Sequence, residues 1–227
     1  MLRRPLLRRL AYVRRNRCSG LLGALGLFIL VSPLLAGSAI GAMTLAASLV
    51  AILVLSVWAL RVRRLALWSL SVLAFVTVDV LVADRMGAVW IRPLALAAIA
   101  VFLGTVTVAL LRYVLDRRPI TTDKVFGAVA AYVLIAFSFA SLFGLLQIFQ
   151  PDAFHAAVGR GPDGRLAWPD LMYFSFTVLT STGFGEITPG SHMARNLVVI
   201  EQILGVMYVA FLVARLANMY GTRRQER

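Results

Sequence analysis

The run Thr180-Ser181-Thr182-Gly183-Phe184-Gly185-Glu186 sets three consecutive hydroxyl side chains before a Gly-x-Gly. Glycine adopts left-handed backbone conformations that L side chains resist. Glycines at alternate positions therefore let successive carbonyls turn to the same side. Four such strands around an axis would stack rings of oxygen that replace the water shell of an ion, with a ring of hydroxyls just below. Irregular backbone at membrane depth is tolerated only where it is buried in protein or lines water. No other grouping suggests chemistry. Two histidines, His155 and His192, and one cysteine, Cys18, give neither a metal-ligand spacing nor an intrachain disulfide. The expectation is a protein that is not an enzyme, with no cofactor beyond a permeant ion.

The elements that would position this run are readable on both sides. Upstream, Trp168 to Thr180 is apolar, with Pro169 and Asp170 where a first helical turn favours them. It is too short to cross a bilayer and fits a re-entrant helix. Its C-terminal end would aim partial negative charge at the run and favour a cation. Before it, Gln150 to Ala167 holds Pro151, Gly159, Gly161, Pro162 and Gly164, which are loop signals.

The chain as a whole is a membrane protein by composition. Of its 227 residues 60% are hydrophobic and 15% charged, against about half and about a quarter in soluble domains. Apolar runs predict six spans, at about 20–36, 40–60, 66–83, 93–114, 125–149 and 194–219. The net charge of +13 lies in arginines of short loops, a pattern of membrane topology and not of nucleic-acid binding. All basic residues except Arg85, Arg92, Arg160, Arg165 and Arg195 fall on one side of this topology. Both termini are thus expected in the cytoplasm of a multi-pass plasma (inner) membrane protein. The head, Met1 to Cys18, is read as preceding an uncleaved first helix rather than as part of a signal peptide. It is either a helix lying on anionic lipid or a flexible basic tail.

The segment from 125 to 220 resembles the pore region of potassium channels, whose filter reads Thr-Val-Gly-Tyr-Gly-Asp. Ser181 falls at the Thr, Thr182 at the Val, Gly183 and Gly185 at the glycines, Phe184 at the Tyr and Glu186 at the Asp. Gly-Phe-Gly also occurs in two-pore-domain potassium channels. The departures are the hydroxyl of Thr182 in place of an aliphatic side chain, serine for threonine, and a phenylalanine that cannot donate to the preceding helix. The resemblance implies K+ coordination by Ser181, Thr182, Gly183 and Phe184, with Thr180 and Gly185 at the ends of the filter. It implies support from Tyr173, Phe174 and Glu186, and a hinge at Gly205 on an inner helix. Val206, Val209 and Val213 would face the axis as a cavity or gate. Because one chain supplies one filter strand, a homotetramer is implied.

Intramembrane charges are functional suspects. Glu201 is expected to bond the short helix from behind the filter, the other reading being a proton-sensitive gate element. Asp79 is expected to pair with Arg85 or Arg92. The fourth span has no charge from Pro93 to Leu111, so steep voltage gating is not expected. The expected fold is an all-α membrane protein of six transmembrane helices, with a re-entrant helix and filter between the fifth and sixth. Expected divisions are a basic segment 1–19, a four-helix domain 20–118, a pore domain 119–221 and a tail 222–227. The function this implies is a potassium channel. The alternatives are a poorly selective monovalent cation channel and a non-conducting sensor or interaction subunit. A transporter would show a repeated half, and none is visible.

Overall fold

The computed structural model describes residues 17–32, 91–116, 121–157 and 164–225. In chain order these form α1 (Arg17–Val31), α2 (Ile91–Leu115), α3 (Thr122–Phe149), β1 (Phe154–Ala156), α4 (Trp168–Leu179), β2 (Ile187–Pro189) and α5 (His192–Gln225). The predicted spans 40–60 and 66–83, the basic head before Arg17 and Asp79 lie outside the described residues. The segments Arg92–Leu115, Thr122–Phe149 and His192–Arg215 are each long and apolar enough to cross a membrane. With α1 at 15 residues, the first expected span is only partly covered.

The chain divides into two compact units, Met1–Ser141 and Leu142–Arg227. In the first, α2 carries Pro93 in its opening turn, where its missing N–H leaves no bond unmade. The α3 helix opens on Asp123, an acidic residue suited to a helix N-terminus. Both oxygens of that carboxylate are used. The Cys18 backbone N–H donates to Oδ1 at 2.8 Å and the Tyr113 hydroxyl to Oδ2 at 2.9 Å. One acidic side chain thus ties the starts of α1 and α3 to the end of α2. Deeper in, Phe28 meets Phe137 with ring centroids 5.3 Å apart, and Leu21, Leu25, Leu110 and Leu134 are fully buried.

The second unit holds the run from 180 to 186. The described residues are mostly helical, in keeping with the expected all-α class, and add one short antiparallel pair, β1 and β2, with Phe154 opposite Pro189, His155 opposite Thr188 and Ala156 opposite Ile187. Strands of three residues are too short to show the alternation that marks a strand in sequence. The α5 helix continues through Gln225, past the apolar segment that ends at Arg215. After Gly221 the chain offers Thr, Arg, Arg and Gln with no proline, and arginine and glutamine are good helix formers.

Candidate functional site

The site is built on α4. Asp170 in its first turn accepts the Ala167 N–H at 3.2 Å and satisfies one of the orphan donors of a helix start. The preceding segment is gripped by Gln147 of α3, whose amide donates to the Leu166 carbonyl and accepts the Leu166 N–H, both at 3.0 Å. Phe143, Phe154 and Phe174 form a triangle of rings with centroids 5.2 to 5.5 Å apart. This triangle joins α3, β1 and α4 by contacts in the favourable range for aromatic pairs.

At its other end α4 passes directly into the run. Thr180 caps the helix, with its N–H donating to the Phe176 carbonyl at 3.0 Å. The Thr177 carbonyl then accepts two donors from beyond the helix, Thr182 N–H at 2.8 Å and Gly183 N–H at 3.2 Å. Ser181, Gly183 and Gly185 have φ of 57°, 57° and 90°. Every second residue is therefore left-handed, as alignment of successive carbonyls requires. Ser181 is the one non-glycine residue at positive φ among the described residues. Such strain persists where surrounding structure enforces it, and it concentrates at functional sites. Thr180 to Glu186 are all solvent-exposed in the isolated chain. The Thr180 and Thr182 hydroxyls bond each other at 2.8 Å, so the Thr182 side chain is held by its neighbour rather than left as an unpaired polar group.

The C-terminal end of the run is tied down three times. The Tyr173 hydroxyl donates to Glu186 Oε2 at 2.6 Å, a bond that holds the phenol proton and raises its pKa above the ordinary value. The Tyr173 ring lies parallel to that of Phe184, with an interplanar angle of 4° and centroids 6.4 Å apart. The Ala157 N–H donates to the Glu186 carbonyl at 2.9 Å, continuing the β1–β2 ladder to the end of the run. Phe184 has no hydroxyl to give, and here the donor stands on α4 instead.

Behind the run, α4 packs along α5. Glu201 is fully buried and accepts the hydroxyl of Ser175, itself fully buried. One turn further along both helices, Gly205 meets Leu179. A Cβ at Gly205 would lie 2.0 Å from the Leu179 carbonyl oxygen. Val206, Val209 and Val213 are exposed on α5, as are Ile203, Met207 and Phe211.

The structure thus brings Tyr173, Phe184 and Glu186 together, places Phe174 in the aromatic triangle and sets Glu201 against α4. Three residues that organise the site carry no mark of that role in the sequence. Gln147 stands out only as a lone amide in an apolar helix, and Ser175 and Thr177 only as hydroxyls in an apolar one. Their partners lie too far along the chain or on the backbone, where residue type gives no signal.

Residues 125–221 match a protein-family model described as "Ion channel". The chain is 27% identical over 117 residues to Protein LctB of Geobacillus stearothermophilus, and 26% identical over 117 residues to Protein LctB of Bacillus caldotenax. Each alignment covers 51% of this chain and 87% of the relative. No solved structure matches. The region built around α3, α4 and α5 is similar to the ion-channel family, and the match supports an ion channel in a membrane protein.

Proposed function

We propose that the chain forms a homotetrameric potassium channel that conducts K+ passively and is not strongly voltage-gated. Residues 180–185 of four copies form the filter, and the carbonyls of Ser181, Thr182, Gly183 and Phe184 hold K+. The α4 helix is the re-entrant pore helix, α3 the outer helix and α5 the inner helix. The observation that carries this reading is the alternation of left-handed backbone at Ser181, Gly183 and Gly185, with the Thr182 and Gly183 N–H groups turned back onto the Thr177 carbonyl. Donors turned toward the pore helix leave carbonyl oxygens free for the opposite side, where a cation can replace its water with them. The α4 C-terminus adds partial negative charge at the same place. Four strands are needed to close a ring, so a symmetric assembly follows.

The α2 helix has Arg92 and Arg112 near its ends and no charge between Pro93 and Leu111. Moving one charge through the field is worth about 2.3 kcal/mol per 100 mV, so steep gating would need several such charges. The proposed setting is a plasma membrane with both termini cytoplasmic and the basic head near anionic lipid.

The test is the reversal potential of the purified protein in planar bilayers with K+ on one side and Na+ on the other. A reversal potential displaced toward the K+ equilibrium value is expected. Equal permeabilities would place the protein among poorly selective cation pores. Absence of current from intact tetramers would leave a non-conducting sensor or interaction subunit.

The outer ties give a further expected result. Tyr173→Phe keeps the ring over Phe184 and removes the donor to Glu186. The channel should still conduct, with the K+/Na+ permeability ratio lowered about threefold, as expected for loss of one modest hydrogen bond per subunit. A ratio equal to that of the unaltered protein would show that the ring stack alone holds the outer end.

A further inference from the structure

A carboxyl group in an apolar inner helix is costly to bury, and the seam between α4 and α5 shows what this one holds. Glu201 is fully buried and accepts from the buried Ser175 hydroxyl. Among the described residues its second oxygen, Oε2, has no hydrogen-bond partner. The Ser175 bond is therefore what anchors this carboxyl to α4. Ser175 and Leu179 are one turn apart on α4, and Glu201 and Gly205 one turn apart on α5. Ser175 faces Glu201, and Leu179 faces Gly205 with no room for a Cβ. The two contacts fix both the height and the spacing of α4 against α5.

Two residues past Ser175 is Thr177, whose carbonyl accepts the N–H groups of Thr182 and Gly183. A shift of α4 along α5 would carry this carbonyl with it and turn the peptide groups that hang from it. Peptide planes are rigid, so turning an N–H also turns the carbonyl bonded to the same unit.

We propose that Glu201 is a positioning residue that sets ion discrimination. Through Ser175 it fixes the pore helix at the height at which the Thr177 carbonyl holds the Thr182 and Gly183 peptides in line. The proposal rests on the reading of residues 180–185 as a cation filter and adds which side chain sets its dimensions.

The test compares K+/Na+ permeability ratios, from bi-ionic reversal potentials, for tetramers of the full chain carrying Glu201→Gln, Glu201→Leu, Ser175→Ala and the double variant Glu201→Leu/Ser175→Ala. Glutamine keeps an acceptor for Ser175, and its ratio should stay near that of the unaltered protein. Glu201→Leu and Ser175→Ala should each lower the ratio about tenfold, in proportion to one buried hydrogen bond to a carboxyl group lost per subunit. The double variant should be no worse than either single variant, because both remove the same bond. Resistance of the tetramer to SDS is read alongside. The double variant replaces both polar partners with apolar groups and should remain as resistant as the unaltered protein while its ratio stays low.

A merely structural role would move SDS resistance and leave the ratio of the surviving channels unchanged, and that outcome overturns the proposal. So does a ratio in Glu201→Gln as low as in Glu201→Leu, which would show that the Ser175 bond is not what matters. If the unaltered protein itself carries no cation current, the filter reading falls and the proposal falls with it. A selective unaltered channel with unmoved variants removes the positioning role alone.

Discussion

Gly185→Ala should abolish cation current while leaving an assembled, folded protein. Among the described residues of its own chain no heavy atom stands within 4 Å of a Cβ built there, so within the chain the obstacle is conformational. The φ of 90° lies beyond the left-handed well that L residues visit, which is centred near 57°. Alanine would relax toward an ordinary conformation and rotate the adjoining carbonyl off the axis. In the proposed tetramer, a penalty of about 1–3 kcal/mol in each of four subunits would act at one ring. Gly183, at φ 57°, sits where Ser181 already sits. Gly183→Ala should therefore be the milder variant, with reduced rather than absent current. Potassium flux from liposomes of the two purified variants checks the order. Undiminished flux in Gly185→Ala would mean that this backbone does not line the path.

Gly205→Ala should be the most destabilising small substitution in the second unit. Its Cβ would fall 2.0 Å from the Leu179 carbonyl oxygen and 2.9 Å from the Leu179 carbonyl carbon. Both are backbone atoms at the last turn of α4 and cannot swing aside as a side-chain tip would. The helices must part, and overpacking of this kind costs about 1–3 kcal/mol or more. Because the parting occurs one residue before the run begins, the loss of stability should come with a loss of K+ over Na+ discrimination. Unfolding in SDS, followed by tetramer content on gels, measures the first effect, and reversal potentials measure the second. The resemblance to potassium channels suggests a hinge at Gly205. The structure adds a reason for glycine there that needs no bending, namely the close approach of two helices. A hinge would tolerate alanine in at least one gating state, whereas a close contact would not.

Local features of the site were legible in the residues. Pro169 and Asp170 mark the start of a helix too short to span, and α4 begins at Trp168 and ends at Leu179 as that reading expects. Gly183 and Gly185 announce unusual backbone, and both have positive φ. Glu201 was legible as a group turned toward α4, since a carboxyl in an apolar span must find a polar partner. That the partner is Ser175 was not legible, because serine occurs throughout the chain and only packing selects one. The positive φ of Ser181 was equally hidden, since serine carries no signal for the left-handed region and is held there by its neighbours. The β1–β2 pair escaped because its order comes from register across a gap of about 30 residues, and three-residue strands leave no periodicity. The aromatic pair Tyr173 and Phe184 shows a subtler limit. The missing hydroxyl at 184 reads as a lost bond, yet the bond is made from the other side, by Tyr173 to Glu186.

Binding of a heavy K+ substitute tests the filter more directly than any rate. Crystals of the tetramer grown with Rb+ or Tl+ in place of K+ would carry a strong anomalous scatterer. The expected result is a column of anomalous peaks on the fourfold axis, each between rings of carbonyl oxygens from Ser181, Thr182, Gly183 and Phe184. A fourfold assembly with no peak on its axis, or with these carbonyls turned into the protein, would contradict the reading of this chain as a potassium channel.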